Sequence, residues 1–392
     1  MSAWLKFVRR WVPPRVRHTV QRFVSLQALK LRDRERNNPL ADVASSDENR
    51  AGSPVRFGIV RNMAQYHRHF VQACLEESVP FRVLDLYRDD WLSIVQNSGC
   101  QVLLVWPDAV RTDWSAMIKD RIAVLEALGY PAVPSSAEIW MYEDKRRMAY
   151  WLQANGIPHA KTWIFYDRVS AERFAAECAL PVVLKTNFGA AGAGVWILRR
   201  RGALRSAVRR AFTRGFVPVG HERRDRQWGS VILQEFLPEV REWRMVRIGD
   251  SYFGHPKGRR GDFHSGSGRV EWDLPEPRHL DLLHRVTEAG GFRSMDVDVF
   301  ETPDGRLWVN ELQAVFGASL AIDQLRRDGV PGRMIRTVDG SWRFESGDFA
   351  RNACANARIR DTLQLWAQDG LKSRRSFGPA IAVSAAQRAM ST

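Results

Sequence analysis

The chain has few cysteines and no long hydrophobic run. Its four cysteines, Cys74, Cys100, Cys178 and Cys354, are scattered, form no CxxC pair and have no histidine partner at the spacing of metal ligands. We therefore expect reduced thiols without a chemical role. No apolar segment approaches the ~20 residues needed to cross a bilayer, and the N-terminus lacks the apolar block of a secretory signal. These absences predict a cytoplasmic protein.

Acidic residues are scarce at both ends of the chain. The net charge is +15, of which residues 1–40 carry +8 and residues 371–392 carry +4. The body between them therefore carries only about +3, which is ordinary for an enzyme that binds anionic substrates. Nucleic acid is not the expected partner, because the basicity belongs to the ends and not to the body.

The N-terminal segment, residues 1–36, places tryptophan, phenylalanine and valine at helical spacing, with arginine and lysine between them and a break at Pro13-Pro14. A basic amphipathic helix of this kind can lie on the inner face of a membrane, where each basic residue near anionic lipid contributes about 1 kcal/mol. It can equally pack on the body or on a second subunit, and a homodimer is the default expectation. Residues 37–54 are rich in turn formers and predict a linker, so residues 1–54 form one segment.

The strand and helix patterns divide the rest of the chain. Buried strands that alternate with helices predict an α/β domain with a parallel sheet. Helices mixed with antiparallel strands then predict an α+β unit of two lobes, followed by one helix, 351–369, and a basic tail. The predicted units are the α/β domain 55–136, the α+β unit 137–340 with lobes 137–238 and 239–340, and the C-terminal segment 341–392.

A glycine-rich stretch, "LKTNFGAAGAGVWIL", lies between two strand patterns and contains Gly189, Gly192 and Gly194. It lacks the GxxxxGK[ST] spacing of a P-loop and the fingerprint of a dinucleotide-binding turn, and a strand pattern follows it where both motifs need a helix. A glycine hairpin between strands can still fold backbone N–H groups over nucleotide phosphates, with Lys185 reaching the same phosphates. The glycines are also compatible with a hairpin that is merely flexible.

Chemistry-bearing residues follow one another in a recognisable order between residues 55 and 320. A lysine opens a helix that ends before "GIPHAKT", a second lysine precedes the glycine loop, and "ILQEFLP", "EWR" and a hairpin with two acids follow. These residues are Lys145, Lys185, Gln234, Glu235, Arg244, Asp298 and Glu311. Together they resemble the ATP-grasp superfamily, in the group of glutathione synthetase, D-alanine ligase and the ribosomal S6 modification enzyme. The resemblance implies a parallel-sheet substrate domain and two lobes that clamp ATP between antiparallel sheets.

The resemblance also implies the residues that contact ATP. The two lysines and the glycine loop would hold the phosphates, and the segment "QEFL" would hold the edge of the adenine. Glu242 resembles the acidic residue that holds the ribose or orients Arg244. The implied nucleotide contacts are Lys145, Lys185, Gly189, Gly192, Gly194, Gln234, Glu235, Phe236, Leu237 and Glu242.

A metal site is predicted on the acidic hairpin. Asp298 and Glu311 on neighbouring strands can face one cleft, and carboxylate oxygens are the ligands that Mg²⁺ prefers. Asp296 lies on the same face and could replace or assist Asp298. Gln313 stands where the family's Glu-x-Asn pattern has asparagine, so a second metal ion is held with altered geometry or lost. The implied cofactors are ATP with Mg²⁺, or Mn²⁺ in its place; the residues alone also permit a pair of surface acids.

Three basic residues are the predicted catalytic groups. Lys257 and Arg259 lie in the glycine-rich turn "HPKGRRGDFHSGSG", where they can neutralise a transferring phosphoryl group, and Arg244 can contribute from the adjacent strand. A solvated basic loop is the alternative for this turn.

The resemblance implies an enzyme that activates a carboxylate as an acyl phosphate and joins it to an amine. Its partners would be small-molecule carboxylate and amine substrates, and the N-terminal segment suggests a surface-polymer or lipid-linked precursor. Two alternatives stay open: phosphorylation of an alcohol, and a non-catalytic nucleotide or nucleic-acid binder that uses the basic ends.

Overall fold

The computed structural model describes residue 40 and residues 42–189, 192, 194–218, 221, 223–259, 270–316 and 323–369. The predictions for residues 1–36 and for the basic tail fall outside these ranges. Within them, no helix combines the length and the apolar character needed to cross a bilayer.

The N-terminal part is a five-stranded sheet flanked by helices. Its elements are β1 Ser45–Ser46, β2 Phe57–Val60, α1 Arg68–Glu76, β3 Phe81–Leu84, α2 Trp91–Gln96, β4 Val102–Leu104, α3 Thr112–Ala127, β5 Ala132–Val133 and α4 Ser136–Trp140. The strand order is β1-β3-β2-β4-β5, and only the edge strand β1 is antiparallel to its neighbour. β2 and β4 are buried throughout, as expected of parallel strands covered on both faces. The parallel sheet is as predicted, whereas β1 lies inside the predicted linker.

The central lobe is a four-stranded antiparallel sheet with two helices on one face. Helix α5, Lys145–Ala154, precedes this lobe and packs Met148, Trp151 and Leu152 into the core of the C-terminal sheet described below. The elements of the lobe itself are β6 Thr162–Phe165, α6 Arg168–Glu177, β7 Val182–Lys185, β8 Val195–Leu198, α7 Arg201–Thr213, a 3₁₀ turn Arg223–Asp225 and β9 Val231–Glu235. The order is β6-β9-β7-β8. Leu184 and Leu233 pack against Leu204 and Val208 of α7. Because strand side chains alternate, Lys185 and its cross-strand neighbours point away from these helices.

The C-terminal lobe is a seven-stranded antiparallel sheet. Its elements are β10 Arg241–Ile248, β11 Ser251–Lys257, α8 Pro277–Gly290, β12 Ser294–Glu301, β13 Leu307–Gln313, β14 Arg326–Arg327, β15 Val330–Arg336, β16 Trp342–Ser346 and α9 Arg351–Asp369. The order is β13-β12-β10-β11-β15-β14, with β16 paired to β15. The sheet therefore continues beyond residue 340, where the sequence predicted one helix and a basic tail. α9 has the bounds of the predicted helix, but Asn352, Ala353 and Cys354, near its start, have left-handed φ values of 50°, 57° and 62°.

Helix α9 connects the C-terminal lobe to the N-terminal sheet. Ala355 and Ile359 belong to the hydrophobic core of that sheet. The Asn356 side-chain amide donates to Glu76 and Glu77 at 3.0 and 2.9 Å. The buried Arg358 donates its Nε to the hydroxyl of Ser294, at the start of β12, at 2.8 Å. The last described helix thus joins the two outer parts of the molecule.

Candidate active site

A cleft opens between the central sheet and the C-terminal sheet. Its walls come from α5, from β7 to β10, and from the hairpin of β12 and β13. Nine of the predicted nucleotide contacts and one predicted metal ligand line it: Lys145, Lys185, Gly189, Gly192, Gln234, Glu235, Phe236, Leu237, Glu242 and Glu311. Residues that are more than 160 positions apart in the sequence therefore meet around one space.

Lys145 begins helix α5 at the mouth of the cleft. The Asp144 carboxylate caps the helix by accepting the backbone N–H of Arg147 at 3.0 Å. Lys145 donates its Nζ to the backbone oxygen of Gly189 at 2.7 Å and its backbone N–H to Asn187 at 3.1 Å. The ammonium and the helix N-terminus both favour an anion beside the glycine loop.

The base of the glycine loop requires glycine. Gly194 has a φ of 85°, and a Cβ there would lie 1.9 Å from the hydroxyl oxygen of Thr186. Thr186 closes the base of the loop because its backbone N–H donates to Gly194 at 2.8 Å and its hydroxyl donates to Phe188 at 2.9 Å. Gly194 therefore lets the two strands approach beneath the cleft, while Gly189 and Gly192 line it.

Lys185 ends β7 inside the cleft and donates its Nζ to the side-chain oxygen of Asn310 at 3.1 Å. Burial lowers the pKa of Lys185 to about 8, Glu311 acts against this shift, and Lys145 adds to it. A buried ammonium with one neutral hydrogen-bond partner is poorly compensated. A phosphate is the kind of partner that would compensate it.

The deep part of the cleft is apolar. Its lining includes Met148, Leu152, Val183, Ile197, Ile232 and Phe300. The strand β9 leads out of this region, and Gln234 on it donates its side-chain amide to the hydroxyl of Thr162 at 2.9 Å. An apolar slot bordered by the backbone of residues 234–237 is suited to a flat base such as adenine.

Four neighbouring strands bring charged groups together at the other end of the cleft. Asp298 on β12 lies opposite Glu311 on β13 and opposite Arg244 on β10. Lys257 donates its Nζ to Glu242 at 2.9 Å and also to Asp298. Burial raises the pKa of Asp298, but Lys257 and Arg244 outweigh it and hold the pKa below its usual range. Burial lowers the pKa of Lys257, but Asp298 and Glu242 raise it to about 12.

Asp296 and Gln313 form the inner end of this cluster. The Asp296 carboxylate lies 3.1 Å from Arg244 Nε, yet neither of its oxygens makes a hydrogen bond to a described residue. Burial raises the pKa of Asp296 to about 8, although Arg244 opposes this. Asp298 is therefore the better ligand, because it is charged at neutral pH and lies opposite Glu311.

The oxygen atoms at this end fit a divalent cation. Asp298 Oδ1 and Gln313 Oε1 are buried and have no hydrogen-bond partner among the described residues. Gln313 donates its Nε2 to Glu311 at 2.8 Å, so its longer side chain still reaches the neighbouring carboxylate. The described residues contain no cluster of three or more histidine, cysteine, aspartate and glutamate side chains that could hold a metal ion. The ion would therefore need further oxygens from a bound nucleotide, as Mg²⁺ commonly does.

The predicted catalytic residues lie in different settings. Arg244 is partly exposed and its guanidinium lies 5.6 Å from the ring centre of Phe316. Lys257 is held between two carboxylates. Arg259 is exposed and is not part of the cleft lining, and residues 260–269, which complete its turn, are outside the described ranges. Its catalytic role stays a prediction.

Sequence reasoning missed part of the lining. Met148 and Leu152 lie three and seven residues after Lys145, on the same face of α5, and this helical spacing could have placed them. Asn310 precedes Glu311 and holds Lys185. No sequence signal linked it to a lysine 125 positions earlier.

Comparison with known proteins found no matching protein-family model and no matching curated protein. Among solved structures, the ADP complex of an N5-carboxyaminoimidazole ribonucleotide synthetase gives a TM-score of 0.52 at 14% identity, over 81% of this chain and 98% of that one. The Staphylococcus aureus N5-carboxyaminoimidazole synthetase with ADP gives 0.51 at 12% identity, over 73% and 83%. The biotin carboxylase domain of the Hydrogenobacter thermophilus 2-oxoglutarate carboxylase gives 0.51 at 16% identity, over 67% and 64%.

At these identities the likeness concerns the fold. The two-sheet cleft described above corresponds to the arrangement that the sequence resemblance predicted. The chain has the ATP-grasp fold.

Proposed function

We propose that this chain is an ATP-dependent ligase that activates a carboxylate as an acyl phosphate and transfers the acyl group to an amine. The observation that carries the proposal is the cleft in which Lys145 and Lys185 lie on one side and Glu311 on the other, with the buried Asp298 opposite Glu311 on the neighbouring strand. The similar structures support it, because they include carboxylate-amine ligases. One of them contains MgADP and bicarbonate.

The first step joins the substrate carboxylate to the γ-phosphate of ATP. Lys145, Lys185 and the backbone of the glycine loop hold the phosphates. A carboxylate oxygen attacks the γ-phosphorus, the bond to the bridging oxygen breaks, and ADP leaves with the electron pair. A divalent cation on Asp298 and Glu311 would neutralise phosphate charge and orient the γ-phosphate. Positioning and charge neutralisation supply the rate, so the mechanism needs no protein nucleophile.

The second step transfers the acyl group. The amine nitrogen attacks the acyl carbon, the carbon–oxygen bond to phosphate breaks, and the amine proton passes to the departing phosphate. Arg244 is the partly exposed cation of the cluster and is placed to stabilise the oxyanion that forms. Lys257 is engaged by Glu242 and Asp298 and acts by holding Asp298 in place, so we assign it a positioning role in place of the predicted contact with the substrate.

Hydroxylamine provides the test, because it captures an acyl phosphate without the natural amine. We expect the full chain with Mg²⁺, ATP and a pool of carboxylic acids to release ADP and form a hydroxamate. Asp298→Asn and Glu311→Gln should each lower this rate by about 10²-fold or more, the usual scale for removing one charge-stabilising group. Asp304→Asn, on the exposed turn of the same hairpin, is the matched control.

Two results would contradict the ligase proposal. Hydroxamate formation that is equal in the two variants and in the control would separate the activity from this cleft. A phosphorylated product that persists in hydroxylamine would instead show phosphorylation of an alcohol.

The cytoplasmic location stays a prediction from the sequence, and the contact with the inner face of a membrane is proposed from residues 1–36 alone. The basic amphipathic pattern of that segment supports this contact. Deletion of residues 1–36 should abolish binding to anionic vesicles, and unchanged binding would refute the membrane contact. A lipid-linked or surface-polymer substrate depends on the same result. The predicted homodimer would appear as a doubled mass in light scattering.

A further inference from the structure

A second concave surface lies beside the nucleotide cleft, between helix α3 of the N-terminal part and the central lobe. We name it the α3 crevice. It is lined by Ser115 and Lys119 of α3, by Glu143 and Arg146 around the start of α5, and by Arg226 and Trp228 of the central lobe. Lys185 and Ile232 line both spaces, so the crevice adjoins the phosphate end of the cleft.

Two polar side chains in the crevice are buried and incompletely satisfied. Ser115 is 3% exposed and Glu143 is 5% exposed. The Ser115 hydroxyl and Glu143 Oε2 have no hydrogen-bond partner among the described residues. A buried polar atom without a partner is destabilising, so a site that keeps two of them has capacity for a polar ligand.

Most other charges around the crevice already have partners. The Asp225 carboxylate accepts the backbone N–H and the hydroxyl of Thr112 at 3.0 and 2.9 Å. Asp144 caps α5, and Lys119 and Arg226 donate to backbone oxygens. The Arg146 guanidinium makes no hydrogen bond or ion pair with a described residue. Among the described residues that line the crevice, Glu143 is thus a carboxylate and Arg146 a cation without a hydrogen-bonded or ion-pair partner.

Glu143 stands between the two spaces. Burial raises the pKa of Glu143; Lys145 of the nucleotide cleft and Lys119 of the crevice act against this shift, and Glu311 adds to it. The backbone of Glu143 has a φ of 52°, an unfavourable value for any residue other than glycine. Two nearby residues of the chain also lie on different sides, since Lys145 lines the cleft and Arg146 lines the crevice.

We propose that the α3 crevice binds a small zwitterion of the amino-acid class, with its ammonium group on Glu143 and its carboxylate on Arg146. A ligand with one charge of each sign matches this carboxylate and this cation. If the proposed ligase function holds, this ligand is the acceptor amine, because the crevice adjoins the phosphate end of the cleft through Lys185.

Saturation-transfer NMR on the full chain with pooled protein amino acids tests the binding without any turnover. We expect at least one amino acid to bind and its N-acetyl derivative, which lacks the ammonium group, not to bind. Glu143→Gln and Arg146→Gln should each weaken the affinity by about tenfold or more, since each removes one charge-assisted contact. Glu143→Asp should retain part of the affinity.

Glu172→Gln is the matched control, because Glu172 lies on the central lobe in an ion pair with Arg168 at 2.9 Å and is not part of the crevice lining. Thermal unfolding of each variant shows whether it is folded, and Arg146→Gln decides the matter if Glu143→Gln is not. The proposal is overturned if no amino acid binds, if only amine-free carboxylic acids bind, or if the folded variants bind as the wild type does.

The binding experiment and the hydroxamate experiment test the two proposals separately. Hydroxamate formation without amino-acid binding would overturn the crevice proposal alone. Amino-acid binding that depends on Glu143 and Arg146, without hydroxamate formation, would support the crevice and overturn the ligase proposal.

Discussion

The two walls of the nucleotide cleft differ in how they are built. The wall from the central lobe is an apolar surface, with Val183, Ile197 and Ile232 lining the cleft and Lys185 as the charged group at its end. The wall from the C-terminal lobe presents Glu311 to the cleft, and the neighbouring strands of the same sheet carry the buried Asp298 and Lys257.

The difference shows how two kinds of surface can bind different parts of one ligand. The apolar wall is suited to a flat base through many van der Waals contacts. Each contact contributes a small binding free energy, and these contributions add together. The charged wall is a coupled set, because a buried carboxylate that loses its cation is left uncompensated. Single changes should therefore have small effects on the first wall and large effects on the second.

The largest effect is expected for Lys257→Met. The change removes the cation between Glu242 and Asp298 and leaves two buried carboxylates without it. We expect the free energy of unfolding to fall by about 3–5 kcal/mol in denaturant titrations.

Two further variants sharpen this result. Lys161→Met is the control, because Lys161 is exposed on the other lobe and lies 5.5 Å from the ring centre of Trp163. The double variant Lys257→Met/Asp298→Asn should be less destabilised than Lys257→Met. A loss for Lys257→Met no larger than that of the control would refute the coupled set.

Lys185 should make nucleotide affinity depend on pH. Its folded pKa of about 8 lies below the ordinary value of 10.5, so the ammonium that attracts phosphate is lost as the pH rises through about 8. We expect the affinity for ATP to fall by about tenfold for each pH unit above that point, with Glu311, Lys145 and Glu242 as the charged groups that act on Lys185.

The stability of the ligand-free protein should change in the opposite sense. Because burial lowers the pKa of Lys185, the cost of its buried charge is fully present below about pH 8 and is relieved as the pH rises towards 10.5. Lys185→Arg keeps the charge and should make the ATP affinity independent of pH in this range. An unchanged pH profile in Lys185→Met would assign the titration to another group.

A smaller effect is expected on the apolar wall. Ile197→Val removes one methylene group from the surface that faces the base. At about 0.8 kcal/mol for a buried methylene, the affinity for ATP should fall about fourfold, as measured by calorimetry. Val169→Ala, at a position 63% exposed on α6, is the control and should leave the affinity unchanged. A loss of ATP affinity for Ile197→Val as large as that for Lys185→Met would contradict the proposed difference between the apolar and the charged parts of the cleft.

The smallest effect is expected at the tip of the acidic hairpin. Arg306 pairs with Asp304 at 2.7 Å on the exposed turn. Exposed pairs are screened by solvent, so Arg306→Ala should leave both the midpoint of thermal unfolding and the hydroxamate rate within experimental error of the wild type. A measurable change in the hydroxamate rate would mean that the turn contributes to the cleft.

The sequence predicted those parts of the site that depend on local spacing. Lys145 follows from its place at the start of a helix, and the hairpin places Asp298 and Glu311 on neighbouring strands. The register of the turn alone would put Asn310 opposite Asp298, and an irregularity between Asp298 and Val299, which the sequence does not signal, brings Glu311 there instead. The contact of Lys185 with Asn310 could not be predicted, because it joins two different sheets. The left-handed backbone of Glu143 also has no signal in the sequence, since glutamate does not favour it.

The α3 crevice was missed for the same physical reason. Ser115 belongs to the N-terminal part and Glu143 precedes the central lobe, and only tertiary packing places them around one space. Strands β14, β15 and β16 were missed because they are short or of mixed composition, and their pairing with one another and with β11 determines them more than their own residues do.

Helix α9 has a mechanical consequence for the molecule. Its apolar residues are embedded in the N-terminal core while Arg358 is anchored to the first residue of β12, so the outer two bodies form one frame. The central lobe, which lines both the nucleotide cleft and the α3 crevice, is joined to this frame by other contacts. These contacts include the hydrogen bond that the Thr112 hydroxyl donates to the Asp225 carboxylate and the one that the Arg146 backbone N–H donates to the Asn187 side chain. Both pairs border the α3 crevice. A molecule bound there would therefore contact the residues that join the central lobe to the frame, and would either strengthen or weaken that connection.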